Sequence, residues 1–135
     1  MEAILDAARS GPKFLNIAPV ASLVADAFAW METRKGWRVA ALTLMPNHVH
    51  ALLRNEQGET HCLNKHLGIL KGYTAREANR LLDRQGAFWM DENFDHWCRS
   101  EVERLGYIEY IRQNPVKAGL VMQTGDWPWT RIAAQ

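Results

Sequence analysis

Cysteine is scarce in this chain. Cys62 and Cys98 are the only two among 135 residues, and no CxxC or CxxH pair occurs. That excludes a disulfide framework and a zinc knuckle, and it fits a reducing compartment. Excess charge of one sign is lacking too: the formal net charge is +1, which argues against a uniformly basic nucleic-acid binder. No apolar run approaches the ~18 residues of a membrane span. The opening "MEAILDAARSGPKF" is acidic first and has no apolar stretch of signal-peptide type. A cytoplasmic protein with no membrane partner is therefore expected. Repeats, low-complexity tracts and linkers are missing as well, so residues 1–135 read as one domain. At 47% hydrophobic and 23% charged residues, it has the composition of an ordinary globular chain able to bury a core.

What charge there is falls in blocks. Residues 65–85 carry Lys65, Lys71, Arg76, Arg80 and Arg84 against Glu77 and Asp83. Residues 86–110 carry six carboxylates against Arg99 and Arg104. A solvated two-signed surface and a basic groove facing phosphates both account for this pattern.

"NIAPVASLVADAFAWMETRKG" predicts a helix, with Pro19 in its first turn, Val20, Leu23, Val24, Ala27 and Phe28 on one face, and Gly36 as its stop. "WRVAALTL" and "HVHALLR" predict the two arms of a hairpin turning at "MPN". A helix is expected from about Leu63 to Gln85, then a β-like stretch over about 87–98. A last helix is expected from Ser100, with Glu103 placed for a capping box and an end near Asn114, before Pro115. A short closing tail follows. This order is an α+β arrangement with an antiparallel sheet.

"MPNHVHALL" poses the functional question. In a strand, His48 and His50 share one side with Val49 on the other. Same-face imidazoles at that separation can bind one metal ion: zinc, copper, iron or nickel suit imidazole, and a site completed by oxygens also admits magnesium or manganese. They can equally be satisfied core or surface histidines. On the last helix, Tyr110 and Asn114 are four apart and lie on one face. They could be a nucleophile and a third metal ligand, or a core tyrosine and a helix-terminal cap.

Together, "MPNHVH", "KGYTAREANR", "FWMDENFDHWCRS" and "YIEYIRQNPVKAGLV", in that order, resemble the single-tyrosine HUH transposases, and within them the branch associated with repetitive extragenic palindromes (REP). The resemblance runs from about residue 11 to residue 130. It implies that His48 and His50 are the metal-binding pair, with Asn114 as the ligand one turn beyond the nucleophile. It implies Tyr110 as that nucleophile; Tyr107 is the rival but lacks the match to "YIxxNP". The expected cofactor is a divalent ion, Mg or Mn. The expected reaction is nicking and rejoining of single-stranded DNA by transesterification through a 5′-phosphotyrosine. The expected partner is single-stranded or hairpin DNA from a palindromic repeat, bound by a monomer or homodimer.

Candidate phosphate contacts are Lys65, Lys71, Arg76, Arg80, Arg84 and Lys117. Trp89 and Trp97 could stack unpaired bases, though core packing is the preferred reading for both. His61 and His96 could add ligands, with nothing in their spacing to demand it.

The resemblance also implies a ferredoxin-like antiparallel sheet with helices packed on it, beginning with a strand. No such strand is legible, so an N-terminally truncated domain with its first strand missing is expected. A late start, a decayed copy or a strand supplied by a partner would explain it. Two alternatives to the enzyme remain: an inactive hairpin-binding remnant, and a small metal-dependent hydrolase.

Overall fold

A computed structural model describes residues 2–8, 14–57, 60–89 and 94–134. Five strands and three α-helices follow one another as β1 (Glu2–Ala8), α1 (Ala18–Lys35), β2 (Trp37–Met45), β3 (His48–Asn55), α2 (Leu63–Leu82), β4 (Phe94–Trp97), α3 (Glu101–Lys117) and β5 (Thr130–Ile132). They form one sheet in the order β4-β1-β3-β2-β5, antiparallel at every pairing. Through β4 this is the βαββαβ ferredoxin-like arrangement, with α3 and β5 added.

The expected loss of the first strand is overturned. Glu2–Ala8 is β1, paired on one side with β3 from Glu2↔Arg54 to Ala8↔His48, and on the other with β4. The segment hides because it is covered on both faces: Ala3 and Leu5 join one core cluster and Ile4 the other. Such a strand loses the polar–apolar alternation by which strands are read, and its alanines favour helix.

Two layers of helix cover the sheet. On one face, α1 and α2 bury Val20, Val24, Phe28, Leu67 and Leu70 against Leu42, Leu44, Val49 and Leu53. On the other, α3 sets Ile108 and Ile111 onto Ile4, Ala40, Ala41 and Leu52. A bulge between Val39 and Ala41 lets Val39 and Leu42 both point into the α1–α2 side, because one extra residue reverses the parity of the strand. Each fully buried side chain of this size contributes about 1.5–3 kcal/mol.

The helix ends follow their sequence signals. Gly36 closes α1 with φ of 73°, its N–H donating to the Met31 carbonyl. Ser100 caps α3 by accepting from the Glu103 N–H at 3.1 Å, and the Glu103 carboxylate accepts from the Arg99 N–H at 2.7 Å. Three expectations need correction. α3 does not stop near Asn114 but carries Pro115 inside it to Lys117. The penultimate strand is shorter than 87–98, with residues 90–93 outside the described ones. The closing tail contains β5, held to β2 by a 2.7 Å hydrogen bond between the Thr43 and Thr130 hydroxyls.

One ion pair ties the first strand to the last helix. Glu2 is 8% exposed and pairs with Arg104 of α3, which also donates to Glu101 at 3.0 Å. Burial works against the Arg104 charge. Hydrogen bonds to and the fields of Glu2 and then Glu101 outweigh it, and hold the guanidinium above its ordinary pKa.

Candidate active site

The hairpin turn at Pro46–Asn47 returns the chain into β3, with Met45↔His48 and Thr43↔His50 as neighbours on one side and Asp6↔His50 on the other. Val49, Ala51 and Leu53 take the α1–α2 side. His48 and His50 therefore take the α3 side. His50 is 4% exposed and His48 half-buried. Their rings stand edge to face, with centroids 4.6 Å apart at 77°. Imidazoles sharing one ion through nitrogens about 2.1 Å from it have a comparable separation.

α3 brings two tyrosines over this pair. Ile108 and Ile111 anchor the helix, so the residues beside them lie along the rim of the buried face. Tyr110 meets the His50 ring edge to face, 5.2 Å between centroids at 75°. It is 43% exposed. Tyr107 stacks on Tyr110 at 5.7 Å and 19°, and approaches His50 at 6.4 Å. The Tyr107 hydroxyl donates to the Leu5 carbonyl at 3.1 Å and lies 3.4 Å from His50 Nδ1. It is thus bound into the fold while Tyr110 faces outward. Asn114 is half-buried one turn beyond Tyr110 and shares its side of the helix. Lys117, exposed, follows on the same stripe, about 10 Å from Tyr110 along the axis.

Two imidazoles suit zinc, copper, iron or nickel, and oxygen donors beside them also admit magnesium or manganese. Among the described residues, no group of three His, Cys, Asp or Glu could hold a metal. A third protein donor among them would therefore have to be of another type, as Asn114 is.

The other basic candidates lie elsewhere. Lys65, Lys71, Arg76 and Arg80 sit on α2, and Arg84 just past its end, so they are on the opposite side of the sheet from the histidines. Arg80 is paired with Glu77 at 2.6 Å. Arg84 is half-buried, donates to Asn79 Oδ1 at 2.6 Å, and covers the Phe14 ring at 5.3 Å. Arg84 thus helps to pack the end of α2. Trp89 donates to the Thr74 hydroxyl at 2.9 Å, and both Trp89 and Trp97 pack on the core. His61 is exposed in the 3₁₀ turn before α2, while the His96 side chain lies outside the described ones.

The sequence reading missed Asn47, taken only as a turn residue. Its side-chain oxygen lies 2.8 Å from His48 Nδ1. Its place directly before the histidine was the available signal.

No protein-family model matches the chain. It is 24% identical over 103 residues to a Haemophilus influenzae protein assigned as a REP-associated tyrosine transposase, matching 70% of this chain and 58% of that one. It is 24% identical over 94 residues to the REP-associated tyrosine transposase of Escherichia coli K12, matching 70% of this chain and 53% of that one. The chain thus spans little more than half the length of these curated relatives. Among solved structures, a REP-associated tyrosine transposase bound to a REP hairpin superposes with a TM-score of 0.75 at 16% identity, over 96% of this chain and 74% of that one. A Deinococcus radiodurans protein assigned as a transposase superposes at 0.58 with 25% identity, over 82% and 88%. These likenesses bear out the resemblance to the REP-associated branch and the α+β architecture it implies. Among the described residues, no helix is long and apolar enough to cross a membrane.

Proposed function

We propose that this relative of the REP-associated tyrosine transposases nicks and rejoins single-stranded DNA through a covalent bond to Tyr110. The observation that carries the reading is a juxtaposition. An exposed tyrosine on α3 and two same-face histidines on β3, some sixty residues apart in sequence, share one ring cluster. Core packing alone does not require a phenol left 43% exposed beside a buried imidazole.

His48, His50 and Asn114 would hold a magnesium or manganese ion, which when bound neutralises charge on the scissile phosphate and aligns it. Tyr110 is the nucleophile. Its hydroxyl gives up a proton, and its oxygen bonds to phosphorus while the bond from phosphorus to the 3′ oxygen breaks. The departing 3′ oxygen takes up a proton. A 5′-phosphotyrosine and a free 3′-hydroxyl result. One ester has replaced another, so a second 3′-hydroxyl can attack the linkage, restore the phenol and join strands without an external energy source. Lys117, on the same helix stripe, is placed to neutralise a neighbouring phosphate.

A palindromic single strand folded as a hairpin is the substrate that the relatives' names and the hairpin-bound neighbour favour. The inactive-remnant reading rested on the missing strand and loses its motive now that β1 fills the sheet. A plain metal-dependent hydrolase leaves the position of Tyr110 without a purpose.

The test is to incubate the protein with a labelled hairpin and manganese, then resolve it under denaturing conditions. A protein–DNA adduct lost in Tyr110→Phe and kept in Tyr107→Phe at saturating manganese supports the proposal. Hairpin binding with no adduct under any metal condition overturns it.

A further inference from the structure

Resting on Tyr110 as the nucleophile, we infer that Gly106 is a clearance position for the substrate. Its missing side chain leaves the surface of α3 bare beside the Tyr110 ring, and a nucleotide next to the scissile phosphate rests there.

Glycine is a poor choice at this point of the chain. Gly106 stands inside α3 (Glu101–Lys117) and is exposed. Of all residues only proline is a worse helix former, because glycine has the most backbone freedom to lose. The structural reasons that keep a glycine in such a place do not apply here. Its φ is not positive, as it is at Gly36, Gly86, Gly119 and Gly125. It does not cap the helix, since Ser100 and Ala118 hold those places. Nor does a neighbour press on it: among the described residues, a Cβ at 106 would meet nothing within 4 Å. The fold gives up helix stability at this position with no return in packing.

The place of the gap is what ties it to the reaction. Gly106 and Tyr107 are the neighbours of Tyr110 one turn back, four and three residues away. Helix side chains lean towards the N-terminus, so the Tyr110 ring lies over the turn that these two residues form. Tyr107 fills its half of that turn, stacked on Tyr110 at 5.7 Å. The half that belongs to Gly106 carries no side chain. A scissile phosphate has to reach the Tyr110 oxygen with a nucleotide on either side of it. Lys117 stands on one side of Tyr110 along α3 and Gly106 on the other. A strand laid along the helix would therefore pass Lys117, then Tyr110, then bare backbone, where a ligand can approach more closely than any side chain would allow.

A matched control exists. Gly68 of α2 is also exposed in open space, but its helix lies on the opposite side of the sheet from the histidines.

The experiment compares Gly106→Ala, Gly106→Leu and Gly68→Leu in the full chain. It reads the urea midpoint, manganese binding, and the single-turnover rate of adduct formation on a labelled hairpin at saturating manganese. All three variants should unfold at higher urea than the wild type, because each replaces a poor helix former where space is free. Gly106→Leu should nevertheless slow adduct formation about a hundredfold by displacing the strand. Gly106→Ala should slow it far less and Gly68→Leu not at all, with manganese binding unchanged throughout. Adduct formation by Gly106→Leu at the wild-type rate overturns the inference and leaves Tyr110 as the nucleophile. Equal losses in Gly106→Ala and Gly106→Leu also overturn it, since the reaction would then depend on glycine's backbone freedom and not on clearance. A matching loss in Gly68→Leu, or a lower urea midpoint in either variant at 106, does the same. A wild type that forms no adduct on Tyr110 overturns the reading beneath.

Discussion

The Tyr110 ring meets His50 edge to face, 5.2 Å away and within the same chain. The helix that carries the tyrosine is seated on the strand that carries the histidine through Ile108, Ile111 and Leu52. The proposed site would then lie within one chain, and mixing tests it. Equal amounts of Tyr110→Phe and His48→Ala should form no more adduct than either variant alone. Recovery of adduct in the mixture would mean that the tyrosine serves a second copy's histidines.

The Glu2–Arg104 pair pins a central strand to the helix that bears Tyr110. Removing one partner leaves a largely buried charge, so Arg104→Met should cost about 3 kcal/mol in urea unfolding. Glu2→Gln combined with Arg104→Met should recover part of that loss. A single variant as stable as the wild type would show that the contact contributes nothing.

The basic residues separate by place. Lys117→Ala should weaken hairpin binding and reduce the salt slope by about one, because it stands on the stripe of Tyr110 and Asn114. Arg84→Ala should leave that slope unchanged and instead lower stability by about 1 kcal/mol, since its hydrogen bond to Asn79 and its cover over Phe14 are lost. The reverse outcome, with binding lost at Arg84 and intact at Lys117, would contradict the placement of the nucleic-acid path.

How legible this was in the sequence varied with the kind of signal. α1 showed itself through Pro19, Gly36 and an apolar stripe, and α3 through the Ser100–Glu103 box, because capping is local chemistry written in adjacent residues. The hairpin and the common side of His48 and His50 followed from strand parity. β1 was hidden, since a strand covered on both faces keeps no alternation and Ala3, Ala7 and Ala8 read as helix. β5 was hidden by its brevity: three residues find their place only against β2. Pro115 misled because it forbids an N–H but not a helical backbone. The tertiary site was half legible. Tyr110 and Asn114 could be put on one helix face. The bond from Tyr107 to the Leu5 carbonyl joins residues 102 apart in sequence, and no local pattern encodes it.

Mapping the covalent product decides whether Tyr110 is the nucleophile. Manganese-treated protein should be trapped with a single-stranded hairpin, digested, and its nucleotide-bearing peptide fragmented by mass spectrometry. The expected product is a phosphodiester on the oxygen of Tyr110, with the released DNA ending in a free 3′-hydroxyl. A modified Tyr107, or cleaved DNA with no nucleotide on the protein, would contradict it.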